Sequence, residues 1–237
     1  MCQPKWKKKI VESGDVIEEI IYLEKPISIK ESNPKSKADK DRENLRRRVR
    51  DLGRIINANF STGDYLITLT YSRRGYLKLK VTHTSLKSPR DIAYTSAKKE
   101  LLLFLARCKY HAQKESIPFR AVFITSDIKG ATGNYARVHH HMIVNKEALE
   151  LVKKLWLHGV VKMRALRDQT DYTPIACYFI EQDRHTKNSN AYGHTNNLAK
   201  PIISEIVLMD PNETLIEPEG ATVLSASRNQ IKYTFKK

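Results

Sequence analysis

The sequence predicts an α+β domain in which helices flank a central antiparallel sheet. Three segments predict it. Tyr65-Leu66-Ile67-Thr68-Leu69-Thr70-Tyr71 follows the turn signal Ser61-Thr62-Gly63-Asp64 and is β-branched and aromatic, so it reads as a buried strand. Asp91 to Lys114 reads as a long helix, with Leu101, Phe104, Leu105 and Cys108 on its apolar side. Pro118 opens a strand from Phe119 to Thr125. A polar turn with Gly130 and Gly133 then returns the chain into Arg137-Val138-His139-His140-His141-Met142-Ile143-Val144, so the two strands make a hairpin.

The remaining elements follow in chain order. Residues Lys25 to Asp41, rich in Lys, Ser, Asp and Pro, read as a basic arm or connector. A charged helix runs from about Asp41 to Asn57, with Leu45, Val49, Leu52, Ile55 and Ile56 near helical spacing. Its arginines (Arg46, Arg47, Arg48, Arg50) either touch phosphate or form a solvated face. Asn145 suits the cap of a helix through Leu149, Val152, Leu155 and Trp156. Val160 to Leu166 reads as a strand, and Thr173 with Pro174 opens another helix. After Lys200-Pro201 the runs Ile202–Val207 and Tyr233–Phe235 are strand-like. The expected organisation is an N-terminal basic arm and helix (1–58), a main domain (59–201), and a strand-rich tail packed on that domain (202–237).

Composition bounds the function. With 42 Lys and Arg against 26 Asp and Glu, the 237-residue chain carries a formal charge of +16, which favours a polyanionic partner. Nucleic acid leads. A membrane partner is disfavoured, because no apolar run approaches the roughly 20 residues a spanning helix needs. The start, Met1-Cys2-Gln3-Pro4-Lys5-Trp6-Lys7-Lys8-Lys9, is basic but lacks the apolar stretch of a secretory signal. Cys2, Cys108 and Cys177 form neither a zinc spacing nor a disulfide framework, so a reducing cytoplasm is expected.

The three adjacent histidines carry the chemistry. On a strand, His139 and His141 share one face, with Cβ atoms about 6.6 Å apart, while His140 points to the other. Two imidazoles so placed suit one divalent cation. Asp127, where the preceding strand ends, is the expected third ligand. Two histidines and a carboxylate with open positions suit Mg²⁺ or Mn²⁺ on a phosphate oxygen better than structural zinc. Tyr178 is the expected nucleophile. Ile175, Ala176, Phe179 and Ile180 mark the apolar side of its helix, and Tyr178 lies on the other side with Glu181, Gln182 and His185. A free phenol is a weak nucleophile at neutral pH, and a cation drawing charge from the phosphate lowers that barrier.

These segments resemble the HUH endonucleases, and among them the rolling-circle replication initiators of small phages and plasmids. His139-His140-His141 matches the His-hydrophobic-His motif in its outer residues, with a polar histidine in the middle. Leu66-Ile67-Thr68-Leu69-Thr70-Tyr71 resembles the first motif strand, and Ala176-Cys177-Tyr178-Phe179-Ile180-Glu181-Gln182 the tyrosine helix. Histidines before tyrosine is the order of initiators and related transposases, not of conjugative relaxases. The likeness covers roughly Asn59 to Pro201. Glu181 and Gln182 stand where many initiators carry lysine, a role left to Arg184 or Lys187. Gln182 also stands where some phage initiators carry a second tyrosine.

The resemblance implies an RRM/ferredoxin-like fold and a single-tyrosine, metal-dependent nickase and strand transferase. Tyr178 would attack single-stranded origin DNA or an origin hairpin, leaving a 5′-phosphotyrosine and a free 3′-hydroxyl, and would later rejoin strands. His139, His141 and Asp127 would hold Mg²⁺ or Mn²⁺. Arg73, Arg74, Lys78, Lys80, Gln182, Arg184 and Lys187 are the expected DNA contacts, with Tyr71, Tyr76 and Tyr94 as candidate base-stacking residues. The sequence holds no Gly-x-x-x-x-Gly-Lys-Ser/Thr phosphate loop, so unwinding and extension would fall to a host helicase and polymerase. The competing readings are a single-tyrosine transposase of the same superfamily, a non-catalytic DNA-binding regulator, and a hydrolase that uses activated water. Tyr172 and Tyr192 are the alternative nucleophiles.

Overall fold

In the computed structural model, residues 5–24, 36–81, 88–129, 134–183, 192–210 and 212–235 are described, and the side chains of Lys80 and Val81 lie outside that set. The fold is α+β, with two five-stranded antiparallel sheets and five α-helices among these residues. It divides into two compact units. The first comprises Met1–Asn59, Gln169–Pro174 and Ala199–Lys237; the second comprises Phe60–Asp168 and Ile175–Leu198.

In the first unit, β1 (Lys5–Ser13) and β2 (Val16–Glu24) form a hairpin around Gly14-Asp15. Gly14 has φ +61, the left-handed conformation that a two-residue hairpin turn with Gly at its first position requires. Within the expected N-terminal arm and helix, residues 5–24 therefore form a pair of strands, while residues 25–35 of the expected connector lie outside the described residues. The hairpin's basic residues are matched across strands: Lys7 pairs with Glu24 at 2.7 Å and Lys8 with Glu19 at 2.6 Å. The tail completes the same sheet. The strands β8 (Ile202–Val207), β9 (Thr222–Ser227) and β10 (Gln230–Thr234) give the order β8-β1-β2-β10-β9. The tail thus pairs with the N-terminal hairpin. Helix α1 (Lys37–Asn59) buries Leu52, Gly53 and Ile56. Its Arg54 grips Glu18 of β2 through two hydrogen bonds, at 2.6 and 3.3 Å. Lys232 of β10 donates to Asp171 at 2.7 Å, and Asn57 of α1 donates to the same carboxylate at 2.9 Å.

The second unit is built on β3 (Tyr65–Thr70), β4 (Ala121–Lys129), β5 (Asn134–Val144), β6 (Val161–Ala165) and the two-residue β7 (Gly193–His194). Their order is β6-β3-β5-β4-β7, so the histidine strand is central. Period-2 alternation gives the sheet two different faces. One carries Ile67, Leu69, Val138, Met142 and Val144, packed with Ala97, Leu101, Phe104 and Cys108 of α3 (Pro89–Lys114) and Val152 of α4 (Leu149–Leu155). Trp156 closes this core, its ring 5.0 Å from Phe104 and 5.3 Å from Tyr71. Ser88 caps α3 by accepting the Asp91 N–H, and Pro89 occupies its first turn. Asn145 does not cap through its side chain. Its amide ties Pro118 O and the Arg120 N–H instead, and a 3-10 turn (Lys146–Ala148) leads into α4. Helix α2 (Arg73–Val81) follows β3 directly, and α5 (Thr173–Glu181) carries the tyrosine. No described helix is long and apolar enough to cross a membrane.

Candidate functional site

Register decides what the three histidines face. Across β5, His139 pairs with Thr70 of β3 and Ser126 of β4, His140 with Leu69 and Thr125, and His141 with Thr68 and Ile124. Directly opposed residues share a face, so His139 and His141 look one way and His140 the other.

His140 belongs to the core. It is fully buried, and both ring nitrogens are engaged: Nδ1 lies 2.9 Å from Thr125 Oγ1 and Nε2 2.8 Å from Tyr71 Oη. The polar middle residue is thus accommodated by two hydroxyls placed on the buried face. Burial, reinforced by His139, His141 and His158, lowers its pKa to about 3, which keeps it neutral. Tyr71 is likewise pushed upward by burial, and the phenol stays protonated.

The opposite face gathers the candidate chemistry. Nε2 of His139 and Nε2 of His141 are 3.0 Å apart, and the Tyr178 hydroxyl lies 3.1 Å from Nε2 of His141. Helix α5 delivers that hydroxyl while Ala176, Phe179 and Ile180 are buried. The Phe179 ring sits 6.2 Å from His141. The outer nitrogens are held as well. His139 Nδ1 lies 2.9 Å from the Arg137 carbonyl, to which it donates as N–H. His141 Nδ1 meets Thr68 Oγ1 at 3.2 Å. Burial, with His139 adding to it, lowers the His141 pKa to about 3, so its ring is neutral. The two Nε2 atoms thus converge on one another, each ring held from its Nδ1 side. That arrangement suits a shared cation, and Nδ1 partners that orient the rings are the usual support of metal-binding histidines.

Gln182 packs against Ser126, next to the histidine pair on the sheet. It follows Tyr178 by four residues, so it lies one turn on along the same helical face, and it is 1% exposed. Ser126, the cross-strand partner of His139, lies 3.5 Å from Gln182 Oε1. The other amide atom, Nε2, is buried without a hydrogen-bond partner. The amide thus lies against the cross-strand neighbour of His139, and its oxygen is the atom of this side chain able to ligate a cation. Gln182, expected among the DNA contacts, has an enclosed side chain.

Asp127, the expected third ligand, has an ion-pair partner of its own. It follows Ser126 on β4, where the register shifts between Ser126 and Ile128. Alternation and this irregularity turn it from the histidine pair to Arg90 of α3, with which it forms a 2.5 Å ion pair while 2% exposed. Among the described residues no group of three His, Cys, Asp or Glu gathers as a metal site. A ligand set that includes an amide falls outside those residue types.

The basic candidates divide. Arg73, Arg74 and Lys78 are exposed on α2, just after the end of β3 that pairs with His139. The Lys80 side chain, Arg184 and Lys187 lie outside the described residues, as does the turn with Gly130 and Gly133. Tyr71 and Tyr94 are buried, and the Tyr94 hydroxyl is spent on Thr125 O, which fits core better than base stacking; Tyr172, an alternative nucleophile, is buried too. Tyr76 is partly buried, with Arg137 over its ring at 5.2 Å.

Comparison with family models, with curated proteins and with solved structures found no match.

Proposed function

We propose that the protein is a metal-dependent, single-tyrosine nuclease and strand transferase of the HUH type, acting on single-stranded DNA. The observation that supports it most is the convergence of His139 Nε2, His141 Nε2 and the Tyr178 hydroxyl on one point of the sheet. The excess of 16 positive charges fits a polyanionic substrate.

His139, His141 and the Gln182 amide oxygen would hold the cation, Mg²⁺ or Mn²⁺, which would draw charge from a phosphodiester oxygen. This chain's own groups supply the rest. The Tyr178 oxygen attacks phosphorus, the P–O3′ bond breaks, and the phenolic proton is passed on as the 3′-oxygen leaves as a hydroxyl. The 5′-phosphate stays on the tyrosine, so a later 3′-hydroxyl can reverse the step and rejoin the strand without a separate energy source. Burial raises the Tyr178 pKa, which opposes ionisation of the free phenol. The attack therefore depends on charge neutralisation at the phosphate. Arg73, Arg74 and Lys78 would hold the DNA backbone, and a replication initiator served by a host helicase and polymerase is the biological role this chemistry suits.

The test is a gel. Protein is mixed with pooled single-stranded oligonucleotides and Mn²⁺, with and without chelator. A slower, denaturation-resistant band that the chelator abolishes supports the reading. Cleavage without retained DNA would assign a hydrolase, and tight binding without cleavage a regulator.

A further inference from the structure

The register carries the histidine row beyond the histidines. Ile124 of β4, His141 of β5, Thr68 of β3 and Lys162 of β6 oppose one another in sequence across four strands. The next row on the same face is Val122, Ile143, Leu66 and Arg164. Lys162 and Arg164 therefore project from the face that bears His139 and His141, two strands away, at a backbone separation of about 9.6 Å. Both are exposed, and β6 is the sheet's edge. The residues between them and His141, Thr68 and Leu66, are only half-buried. No carboxylate stands in either row. The alternate residues of β6, Val161, Met163 and Ala165, are apolar and belong to the opposite face. All of the strand's charge thus falls on the side of the histidine pair.

An edge lysine also discourages strand-to-strand aggregation. That role needs no particular face, however, and does not call for a second cation in the adjacent row. We propose that Lys162 and Arg164 form a phosphate-binding rail, which holds the backbone of the substrate strand as it leaves the His139–His141–Tyr178 site across β3. The proposal rests on the nuclease reading for the identity of the substrate. Its contact chemistry is that of lysine and arginine with phosphodiester oxygens.

The test measures affinity for a fluorescein-labelled poly(dT) oligonucleotide by anisotropy over a range of NaCl concentrations. Each phosphate contact to single-stranded DNA contributes about 0.7 to the slope of log K against log salt. Lys162→Gln with Arg164→Gln should lower the magnitude of that slope by about 1.4 and weaken binding at every salt concentration. A control of equal charge change, Lys109→Gln with Lys154→Gln, replaces exposed lysines on α3 and α4, the helices of the opposite face. It should leave the slope near that of the wild type. Glutamine keeps the β6 edge polar, and matching melting curves confirm both variants are folded. Equal slopes for the β6 variant and the wild type, or equal losses in the two double variants, would overturn the rail. Wild-type protein that binds poly(dT) but forms no chelator-sensitive adduct would instead count against the nuclease reading, while the slopes still decide the rail.

Discussion

The Tyr178 hydroxyl lies 3.1 Å from Nε2 of His141, a residue 37 positions earlier in the chain. The pairing joins a helix to the central strand of a sheet. It places a potential nucleophile beside the histidine pair that would hold a cation against the substrate phosphate. Replacing Tyr178 with Phe keeps the ring and removes the oxygen. The variant should form no covalent DNA adduct in a denaturing gel, bind single-stranded DNA as the wild type does, and lose about 1 kcal/mol of stability or less, the worth of one hydrogen bond.

Metal affinity should separate Gln182 from Asp127. Titration with Mn²⁺, followed by calorimetry, should show strong losses for His139→Ala, His141→Ala and Gln182→Leu. Asp127→Asn should leave the affinity unchanged, because that carboxylate is turned to Arg90. Thr68→Val, which removes the hydroxyl at His141 Nδ1, should cost roughly 10- to 100-fold.

Acid should destabilise the metal-free protein through its buried histidines. The folded-state pKa of His140 is about 3, against an unfolded value near 6.5. Its contribution is thus fully present above about pH 6.5 and is lost as pH falls toward 3. Within that window the loss approaches about 1.4 kcal/mol per pH unit for one such group. His140→Leu should flatten the pH dependence of urea unfolding by that amount. At pH 7.5 the same variant should be destabilised by about 2–4 kcal/mol, since the Tyr71 and Thr125 hydroxyls lose their partner in the core.

In the first unit, Arg54 and Glu18 form a nearly enclosed pair, with side chains 11% and 4% exposed. Arg54→Met leaves the Glu18 carboxylate buried without its main partner. Denaturant unfolding should register a loss of about 3–5 kcal/mol. A loss below about 1 kcal/mol, the level of surface pairs, would contradict this burial.

The second unit was legible in the sequence because its signals are strong and local. The β-branched run at Tyr65, the helix through Phe104 and the alternation around His139 each announce their own element. The structure forms β3, α3 and β5 there. The direction of Asp127 was not legible. Its facing depends on a register irregularity after Ser126 that composition does not show. The Gln182 position did carry a signal, the four-residue spacing from Tyr178, but its burial is set by packing over Ser126. The N-terminal hairpin was hidden by Lys7, Lys8 and Lys9, which read as an arm until acidic residues of β2 and β8 neutralise them across strands. Partners nearly 200 residues away, such as Glu205 for Lys9, leave no mark on local periodicity.

The most direct test of the account is to locate the covalent bond. Adduct formed with Mn²⁺ and single-stranded DNA would be digested with nuclease and protease and read by tandem mass spectrometry. The account predicts a nucleotide 5′-phosphate on the Tyr178 side chain. A nucleotide on Tyr172, Tyr192 or any other residue, or cleaved DNA with no modified residue, would contradict it.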